Sequence, residues 1–507
     1  MKSKISYSGN LFNDILRISG TKRSDFLNAE FDDEPDFDTI EFAERLQKQK
    51  TLVVHDSDCD GISSLCVFDE YAKRMGLKYE HQFVPRSQRN IGWYISGELR
   101  NVSDTNIVFL DCGSGLDEES YRKLEKSGNS ICVVDHHQID EDKIAKDMYI
   151  INPQRGNKYH YLSGSGVTYY VLKQLFGENL DALQFASIGT VADMVPLIGL
   201  NRNLVRNGLD NINSTLVNTN LYILIKSLSI RNSPLTENDI AFYIAPVINA
   251  ASRFGKTELA ISILVDGKEK AAKELVEINN ERKELINKAI EEVPMQNLPH
   301  CVISETDDSQ FSNVLGLIAT RLMHKYNKPF ASIMKYKDTA SISFRIPQEG
   351  FDLTPFFSEM KDIFEGGNHA AAGGGTCKIG DLKTIKERFI QYCEQNFEVR
   401  PETHADIYVP ERYISDIIKE LPEHSPFGMG FKNPSFMSDV LLKNIKQISE
   451  RFTIGKFVWN DEVGNQQEID LISYRPIENT GFVQVAYQIF YDKGVGKAQV
   501  VETSSYE

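Results

Sequence analysis

The sequence TLVVHDSDCDG at residues 51–61 joins a short apolar run to a loop that carries three aspartates. The run Leu52–Val54 is of strand length and ends at a polar, glycine-containing turn, which is the pattern of a strand buried in a parallel sheet. Asp56, Asp58 and Asp60 follow at alternate positions. A calcium loop of the EF-hand kind shares this spacing, but here a strand replaces the preceding helix and no glutamate occupies the twelfth position. The stretch therefore indicates a metal-binding loop at the end of a buried strand.

Three further apolar runs end in the same way. They are NIVFLDCGSG (106–115), SICVVDHHQ (130–138) and MYIINP (148–153). The first two deliver Asp111 and then Asp135, His136 and His137 where the strand gives way to loop. Because the carboxyl ends of neighbouring parallel strands line one crevice, we expect these side chains to converge. The alternation of strands with helical patterns predicts an α/β domain with a parallel sheet.

The histidine pair and a further aspartate add to the expected crevice. Adjacent side chains on a strand point to opposite faces, so His136 and His137 have an incidental reading as well as a functional one. Asp193, in ADMVPL (192–197), adds a carboxylate in an apolar setting. Burying each carboxylate alone is costly, and a shared cation removes that cost. Oxygen ligands mixed with one or two imidazoles suit Mn²⁺, with Mg²⁺ as a substitute.

The composition bounds the class of protein. A chain of 507 residues that is 41% hydrophobic can bury two or three cores. Its formal charge of −16 excludes a protein that coats duplex DNA by long-range attraction, so any contact with nucleic acid must be local. No run approaches the roughly 20 apolar residues of a membrane span, and the N-terminus lacks a secretory signal, so we expect a cytoplasmic protein without a membrane partner. Seven cysteines without a CxxC pair predict reduced thiols rather than disulfides or a cysteine zinc site.

The chain is expected to divide into five segments. They are an acidic N-terminal segment (1–45), a catalytic α/β domain (46–220), a connecting helical region (221–295), a second α/β domain (296–398) and a β-rich domain (399–507). Nine acidic side chains lie between residues 25 and 44, which indicates a solvated lead-in, with a partner-binding segment as the alternative. Residues 268–293 contain no glycine or proline and predict a helix of about 35 to 40 Å. The short β-like runs after about residue 400 suggest a small barrel or sandwich.

These acidic and histidine-bearing motifs, in this order, resemble those of the DHH phosphoesterases, whose name matches the triplet at 135–137. Later motifs make the resemblance one to the RecJ exonucleases. They are NAASR (249–253), LGLIATRL (315–322), SFR (343–345), GGNHAAAGG (366–374) and PFG (426–428) with NP (433–434). The resemblance implies an α/β fold with a parallel-sheet DHH domain, a long connecting helix, a second α/β DHH-associated domain and a C-terminal β-rich OB-like domain.

The resemblance also implies roles for individual side chains. The implied ligands of two Mn²⁺ or Mg²⁺ ions are Asp56, Asp58, Asp60, Asp111, His136 and Asp193. Among the implied catalytic residues, Asp111 bridges both ions, Asp135 orients its neighbours, and His137 stabilises the phosphate or the leaving oxygen. The implied substrate-binding residues are Arg89, Arg253, Arg321, Ser343, Arg345, Gly366, Gly367 and His369. Arg86 is the alternative to Arg89, and Ser343 with Arg345 forms a candidate pocket for a 5′-terminal phosphate.

The implied activity is that of a single-strand-specific 5′→3′ exodeoxyribonuclease that hydrolyses phosphodiester bonds with two metal ions. Its expected partner is single-stranded DNA, with a single-strand-binding protein or a helicase as further candidates, and we expect a monomer. Two alternatives stay open. One is a DHH phosphodiesterase acting on short oligonucleotides, cyclic dinucleotides or pyrophosphate, and the other is a non-catalytic, Cdc45-like scaffold that binds single strands. The tail after about residue 400 favours the exonuclease over the first, and the intact acidic motifs favour hydrolysis over the second.

Overall fold

The computed structural model has two compact units. The described residues are 2–23, 35–48, 50–86, 91–156, 159–230, 234–347, 351–369, 372–397, 405–449, 452–477, 480–492 and 495–504. One unit is Met1–Val276 together with Glu402–Glu507, and the other is Glu277–Pro401. These units are coarser than the five predicted segments, whose boundaries stay a prediction. Among the described helices, none combines the length and the apolar character that crossing a membrane requires.

Strands and helices largely alternate up to residue 151, and the described elements from residue 164 to residue 292 are all helical. The strands are β1 (Ser3–Ser6), β2 (Lys50–Asp56), β3 (Tyr79–Val84), β4 (Thr105–Leu110), β5 (Ser130–Val134), β6 (Tyr149–Ile151), β7 (Met295–Asn297), β8 (Val302–Thr306), β9 (Phe330–Lys335), β10 (Thr339–Arg345), β11 (Glu365–His369), β12 (Ala372–Lys378), β13 (Ala405–Tyr408), β14 (Phe436–Ser449), β15 (Phe452–Asn460), β16 (Gln466–Ser473), β17 (Gly481–Asp492) and β18 (Val495–Ser504). The α-helices are α1 (Leu11–Ser19), α2 (Ile40–Lys48), α3 (Cys59–Met75), α4 (Ile91–Gly97), α5 (Glu118–Lys126), α6 (Gly164–Phe176), α7 (Leu180–Ala192), α8 (Gly199–Ile212), α9 (Thr219–Ser227), α10 (Glu237–Asp239), α11 (Ala245–Arg253), α12 (Thr257–Leu264), α13 (Glu269–Glu292), α14 (Leu315–Tyr326), α15 (Thr354–Glu359), α16 (Leu382–Asn396) and α17 (Ile414–Glu420). A π-helical turn, Ile240–Ile244, joins α10 to α11, and the 3-10 turns are Ser309–Val314, Glu411–Tyr413 and Leu421–His424.

A five-stranded parallel sheet forms the centre of the first unit, in the order β3-β2-β4-β5-β6. Helices cover both of its faces. Alternate residues of each strand point to opposite faces, so each strand contributes side chains to two apolar cores. Val53 of β2 packs into one apolar core, whereas Leu52 and Val54 pack into another. The parallel sheet predicted from the apolar runs is therefore confirmed.

Residues near the N-terminus pack against distant parts of the chain. β1 pairs in parallel with β13, and α1 buries Leu11 in the cluster that holds Ile407. Phe37 and Phe42 are buried in the core beside the parallel sheet. Residues 24–34, which carry much of the acidic stretch predicted to be a solvated lead-in, lie outside the described residues, so that prediction stays open.

Five strands near the C-terminus close into a barrel in the order β14-β15-β16-β18-β17, and β17 pairs back onto β14. β16 and β18 run parallel, whereas the other neighbours are antiparallel. Phe436, Phe457 and Tyr487 are fully buried and pack together in its core. This barrel is the predicted C-terminal β-rich, OB-like domain.

The second unit is built on a six-stranded mixed sheet in the order β11-β12-β10-β9-β8-β7. Phe344 of β10 lies in its core, with ring centroids 5.4 Å from Phe356 and 4.9 Å from Phe389. The helix α13 has 24 residues, about 36 Å at 1.5 Å per residue, and confirms the predicted long helix. The boundary between the two units falls within this helix.

Candidate metal centre

Three aspartates follow neighbouring strands at the carboxyl edge of the parallel sheet. Asp56 ends β2, Asp111 follows β4 and Asp135 follows β5. The register of β2 with β4 makes Asp56 and Asp111 neighbours. The backbone N–H of Asp111 donates to the carbonyl of Val134 at 3.0 Å, which brings Asp111 beside Asp135. The side chains expected to converge therefore lie along one edge.

The six predicted ligands fall into two adjoining groups. One group consists of Asp56, Asp58 and Asp111, and the other of Asp60, His136 and Asp193. Within each group the candidate ligand atoms lie within 4.8 Å of one another, which is close enough to share one cation. His136 links the groups, because its Nε2 lies 3.3 Å from Asp111 Oδ1 and 3.6 Å from Asp193 Oδ2. The arrangement offers two neighbouring positions for cations.

The electrostatics of these carboxylates favour a bound cation. Burial raises the pKa of Asp56 to about 7, and the nearby charge of Asp58 adds to the effect. Burial likewise raises the pKa of Asp193 to about 7, with Asp60 as the next cause. Buried carboxylates without enough positive charge hold their protons, because desolvation penalises the ionised form. A divalent cation between them would remove this penalty.

Asp111 is the most constrained of the carboxylates. It is 2% exposed, and burial raises its pKa well above the usual range, with Asp60 as the next cause. Its Oδ1 is buried and accepts no hydrogen bond from any described residue, although His136 Nε2 lies 3.3 Å away. Its backbone has a φ of +56°, in the left-handed region that costs a non-glycine residue about 1–2 kcal/mol. An unsatisfied, strained carboxylate in this position fits a ligand that faces an ion.

Asp135 has a different environment and acts on its neighbours. Its Oδ2 accepts a hydrogen bond from the backbone N–H of Ser114 at 2.9 Å. Its Oδ1 lies 2.8 Å from Nδ1 of His137 and also accepts the backbone N–H of His136 at 2.7 Å. Burial opposes ionisation of Asp135, but the charge and hydrogen bond of His137, the charge of His136 and the hydrogen bond from Ser114 together outweigh it and hold the pKa of Asp135 below its usual range. Asp135 in turn raises the pKa of His137 to about 10. An ionised Asp135 thus holds a protonated imidazole at the edge of the site.

Asn152 extends this arrangement from the end of β6. Its Nδ2 donates to Ser114 Oγ and to the carbonyl of His137, both at 2.9 Å. Asn152 is 5% exposed. It belongs to the run MYIINP, whose strand was predicted but whose asparagine was not given a role. The amide links the turn after β4 to the turn after β5.

Three glycines allow the carboxylates to approach so closely. A Cβ on Gly164 would lie 2.2 Å from Asp111 Oδ1, and one on Gly189 would lie 2.3 Å from Asp60 Oδ1. A Cβ on Gly61 would lie 2.4 Å from the carbonyl oxygen of Asp56. Gly164 also begins α6, and its N–H donates to Asp60 Oδ2 at 2.7 Å, so that the helix N-terminus faces this carboxylate. Gly164 and Gly189 were not predicted as site residues, although the stretch SGSG (163–166) before a helical pattern was a usable signal for Gly164.

The NAASR motif lies against the aspartate loop. Asn249 Oδ1 accepts the backbone N–H of Cys59 at 3.1 Å. Ser252 Oγ accepts a hydrogen bond from Arg86 Nε at 3.1 Å, and Arg86 Nη2 lies 3.5 Å from Asp58 Oδ2. Arg253 ends the same helix, α11. Arg86 is thus beside the site, whereas Arg89 lies outside the described residues.

In the second unit, Ser343 and Arg345 meet the first turn of α14. Arg345 Nε donates to Thr320 Oγ1 at 3.1 Å, and its Nη1 donates to the carbonyl of Phe344 at 2.7 Å. A Cβ on Gly316 would lie 2.9 Å from Arg345 Nη2 and 3.6 Å from Ser343 Oγ. A guanidinium, a hydroxyl and a helix N-terminus in one place form an arrangement suited to an anion.

The other predicted substrate-binding residues of this unit are more dispersed. Arg321 is exposed and donates from Nη1 to Asn287 Oδ1 of α13 at 2.8 Å. Gly366 and Gly367 lie on the edge strand β11, and a Cβ on Gly366 would lie 2.4 Å from the carbonyl oxygen of Gly374. The side chain of His369 lies outside the described residues. Gly366 therefore has a packing role that is visible without a substrate, whereas a Cβ on Gly367 would meet no atom within 4 Å.

Comparison with known proteins identifies the region that contains the two groups of candidate metal ligands. Residues 50–195 match the model of the DHH family, N-terminal domain. This region is a DHH domain. It contains all six predicted ligands, from Asp56 to Asp193, together with the Asp135 triplet.

The whole chain is RecJ-like in sequence and fold. It is 26% identical over 451 residues to the single-stranded-DNA-specific exonuclease RecJ of Bacillus subtilis, a match that covers 84% of this chain and 56% of the relative. It is 24% identical over 409 residues to the protein of that name from Thermus thermophilus, covering 78% and 60% of the two chains. The crystal structure of the Thermus thermophilus RecJ in complex with Mn²⁺ superimposes with a TM-score of 0.76 at 20% identity, over 97% of this chain and 76% of that one. The chain therefore spans less than two thirds of the length of these two curated relatives.

Proposed function

We propose that this protein is a metal-dependent phosphodiesterase that removes nucleotides from the 5′ end of single-stranded DNA. The observation that carries the proposal is the pair of adjoining ligand groups around Asp111 and His136. Carboxylate-rich groups that share a neighbour suit the two-metal hydrolysis of phosphodiesters. The names of the RecJ relatives support the choice of substrate.

The donor set fits Mn²⁺, with Mg²⁺ as a substitute. Carboxylate oxygens and a single imidazole are ligands that both ions accept, whereas no cysteine contributes to either group. Asp56, Asp58 and Asp111 would hold one ion, and Asp60, His136 and Asp193 the other. When bound, such a pair supplies Lewis acidity and lowers the pKa of a bound water.

Other residues of the DHH domain would orient the metal ligands and stabilise charge on the substrate. Asp135 keeps His137 protonated and fixes its ring, so the imidazolium can donate a hydrogen bond to a phosphate or leaving oxygen. The side chain of His137 is 48% exposed, which leaves it accessible to a substrate. Gly164 and Ser165 hold Asp60 through two backbone N–H groups at 2.7 and 3.1 Å. These contacts fix the site before a substrate arrives.

The second unit would bind the 5′-terminal phosphate. Arg345, Ser343 and the N-terminal turn of α14 provide a guanidinium, a hydroxyl and backbone N–H groups for one anion. Arg253, Arg321, Gly366, Gly367 and His369 stay candidates for contacts along the strand, with Arg86 or Arg89 beside the aspartate loop. Single-stranded DNA is the proposed partner. A single-strand-binding protein or a helicase, a monomeric state and a cytoplasmic location stay predictions.

A substrate panel tests this function. The full chain, with Mn²⁺, would be incubated with a 5′-labelled single strand, the matching duplex, an RNA of the same sequence, a dinucleotide, a cyclic dinucleotide and pyrophosphate. We expect 5′ mononucleotides released from the single strand in order from the 5′ end. Activity confined to dinucleotides or pyrophosphate would support the other DHH phosphodiesterases instead. Binding of the single strand without turnover would support a Cdc45-like scaffold.

A further inference from the structure

The loop that leads into the barrel lies against the segment that follows Asp193. We call residues 424–431 the clamp loop. The backbone N–H of Leu197 donates to the carbonyl of Met429 in this loop at 2.8 Å. A Cβ on Gly428 would lie 2.7 Å from Leu197 Cδ1, and one on Gly430 would lie 3.2 Å from Ile198 Cγ2. The backbone of the clamp loop at Gly428 and Gly430 therefore packs directly against the side chains of Leu197 and Ile198, with no space for an additional methyl group.

Arg202 holds the clamp loop in place. It is 5% exposed, and its Nη2 donates to the carbonyls of His424 at 2.6 Å and Ser425 at 3.2 Å. Its Nη1 donates to the carbonyl of Pro426, and its guanidinium carbon lies 4.6 Å from the ring centroid of Phe431. The planar fork of arginine can satisfy several carbonyls at once, which the single nitrogen of lysine cannot do in the same geometry.

A buried glutamate fastens the same loop from another direction. Glu237 is 4% exposed, and its Oε2 accepts a hydrogen bond from Ser425 Oγ at 2.8 Å. On the opposite flank, Asn201 Nδ2 donates to the carbonyls of Pro196 at 3.0 Å and Tyr161 at 2.8 Å. Residues 196–198 are thus held on one side by Asn201 of α8, the helix that follows them, and on the other side by the clamp loop.

This segment leaves Asp193 little freedom. The backbone N–H of Asp193 donates to the carbonyl of Gly189 at 2.9 Å, so the residue is tied to the end of α7. Met194 then takes a φ of +58°, a left-handed conformation in which the chain turns sharply. Leu197, 4% exposed, fixes the far end of the turn four residues after Asp193. A displacement of Leu197 would move the turn and with it the carboxylate that faces His136.

We propose that Arg202 is a positioning residue for the metal centre, acting through the clamp loop on the turn that carries Asp193. The barrel region then forms part of the scaffold of the Asp60, His136 and Asp193 group, in addition to any contact with DNA. This inference rests on the proposed function, because it assigns that group to a metal ion. Residues that orient metal ligands typically change metal affinity by about 10–100-fold when they are replaced.

The test measures Mn²⁺ binding to the full chain by electron paramagnetic resonance, without DNA. Arg202→Lys keeps the charge and loses the fork, and Arg206→Lys is the matched control, because Arg206 is an exposed arginine on the same helix. We expect two ions on the wild type and on the control. In Arg202→Lys we expect one ion to bind about 10–100-fold more weakly and the other to bind as in the wild type. Turnover should then fall at low Mn²⁺ and recover at high Mn²⁺, with an unchanged KM for the single strand.

Each outcome decides one point. Unchanged affinities for both ions in folded Arg202→Lys overturn the positioning role and leave the proposed function standing. No Mn²⁺ bound to the wild type overturns the proposed function itself. If Arg202→Lys does not fold, Gly428→Ala replaces it, with Gly97→Ala as control, because a Cβ on Gly97 meets no atom within 4 Å. Equal Mn²⁺ affinities in that pair also overturn the proposal.

Discussion

Gly164→Ala perturbs the site by one methyl group. The added Cβ would lie 2.2 Å from Asp111 Oδ1 and 2.6 Å from Asp111 Cβ, whereas ordinary contacts begin at 3.4 Å. Asp111 must therefore withdraw by about 1 Å, since Gly164 is held at the start of α6 by its own hydrogen bond to Asp60. A misplacement of this size at a catalytic centre costs about 10²-fold in rate. We expect kcat/KM to fall by about that factor and Mn²⁺ affinity to fall by about 10-fold or more.

The effect on stability should be much smaller. Alanine is favoured over glycine in a helix by about 1 kcal/mol, and overpacking costs about 1–3 kcal/mol, so the free energy of unfolding should drop by about 0–2 kcal/mol. The assay measures mononucleotide release from a 5′-labelled single strand at several Mn²⁺ concentrations, with urea unfolding on the same samples. Gly97→Ala, which also lies in a helix, is the control and should behave as the wild type. Wild-type turnover and metal affinity in folded Gly164→Ala would refute the close approach on which this reasoning depends.

Three further predictions concern charge. Asp111→Asn should abolish hydrolysis, keep binding of single strands in fluorescence anisotropy, and raise the melting temperature of the metal-free protein, because a neutral amide replaces a carboxyl group whose ionised form is penalised by burial and by Asp60. The exposed Asp210→Asn is its control, and residual turnover in Asp111→Asn would contradict the assignment. Asp56 and Asp193 have pKa values of about 7 in the folded protein, against an ordinary 3.8. The folded state therefore binds their protons more tightly than the unfolded state does. This contribution to the free energy of unfolding is complete below about pH 4 and is lost as the pH rises through about 7. Metal-free protein should thus melt lower at about pH 8 than at about pH 6, and Mn²⁺ should raise the melting temperature more at the higher pH; a pH-independent metal effect would count against these carboxylates. Arg345→Ala should remove the preference for 5′-phosphorylated over 5′-hydroxyl ends, a loss of about 1.5–3 kcal/mol, whereas the exposed Arg388→Ala should keep it, and an unchanged ratio in Arg345→Ala would exclude the phosphate pocket.

Much of the DHH domain could be predicted because its signals are local. An apolar run that ends in an aspartate fixes both the strand and the edge at which its carboxylate lies, as Asp56 and Asp111 illustrate. The histidine pair was harder to assign, since alternation along a strand argues against two neighbours facing one site. Both histidines can face the site because they follow the last residue of β5, where the alternation of a strand no longer applies.

The features that were not predicted depend on distances between remote parts of the chain. β1 pairs with β13 although about 400 residues separate them, and nothing in either four-residue strand indicates the partner. The need for glycine at positions 164 and 189 follows from where Asp111 and Asp60 lie, which no local pattern states. Arg202 was missed for the same reason, because its partners are backbone carbonyls of a loop more than 200 residues away. Backbone carbonyls leave no sequence signal.

The proposed function depends on two adjoining groups of side chains that hold two ions. Crystals of the full chain soaked in Mn²⁺ and measured at the manganese edge would test it directly. We predict two anomalous peaks about 3.5–4 Å apart, one among Asp56, Asp58 and Asp111 and the other among Asp60, His136 and Asp193. A single peak, or peaks away from these side chains, would contradict it.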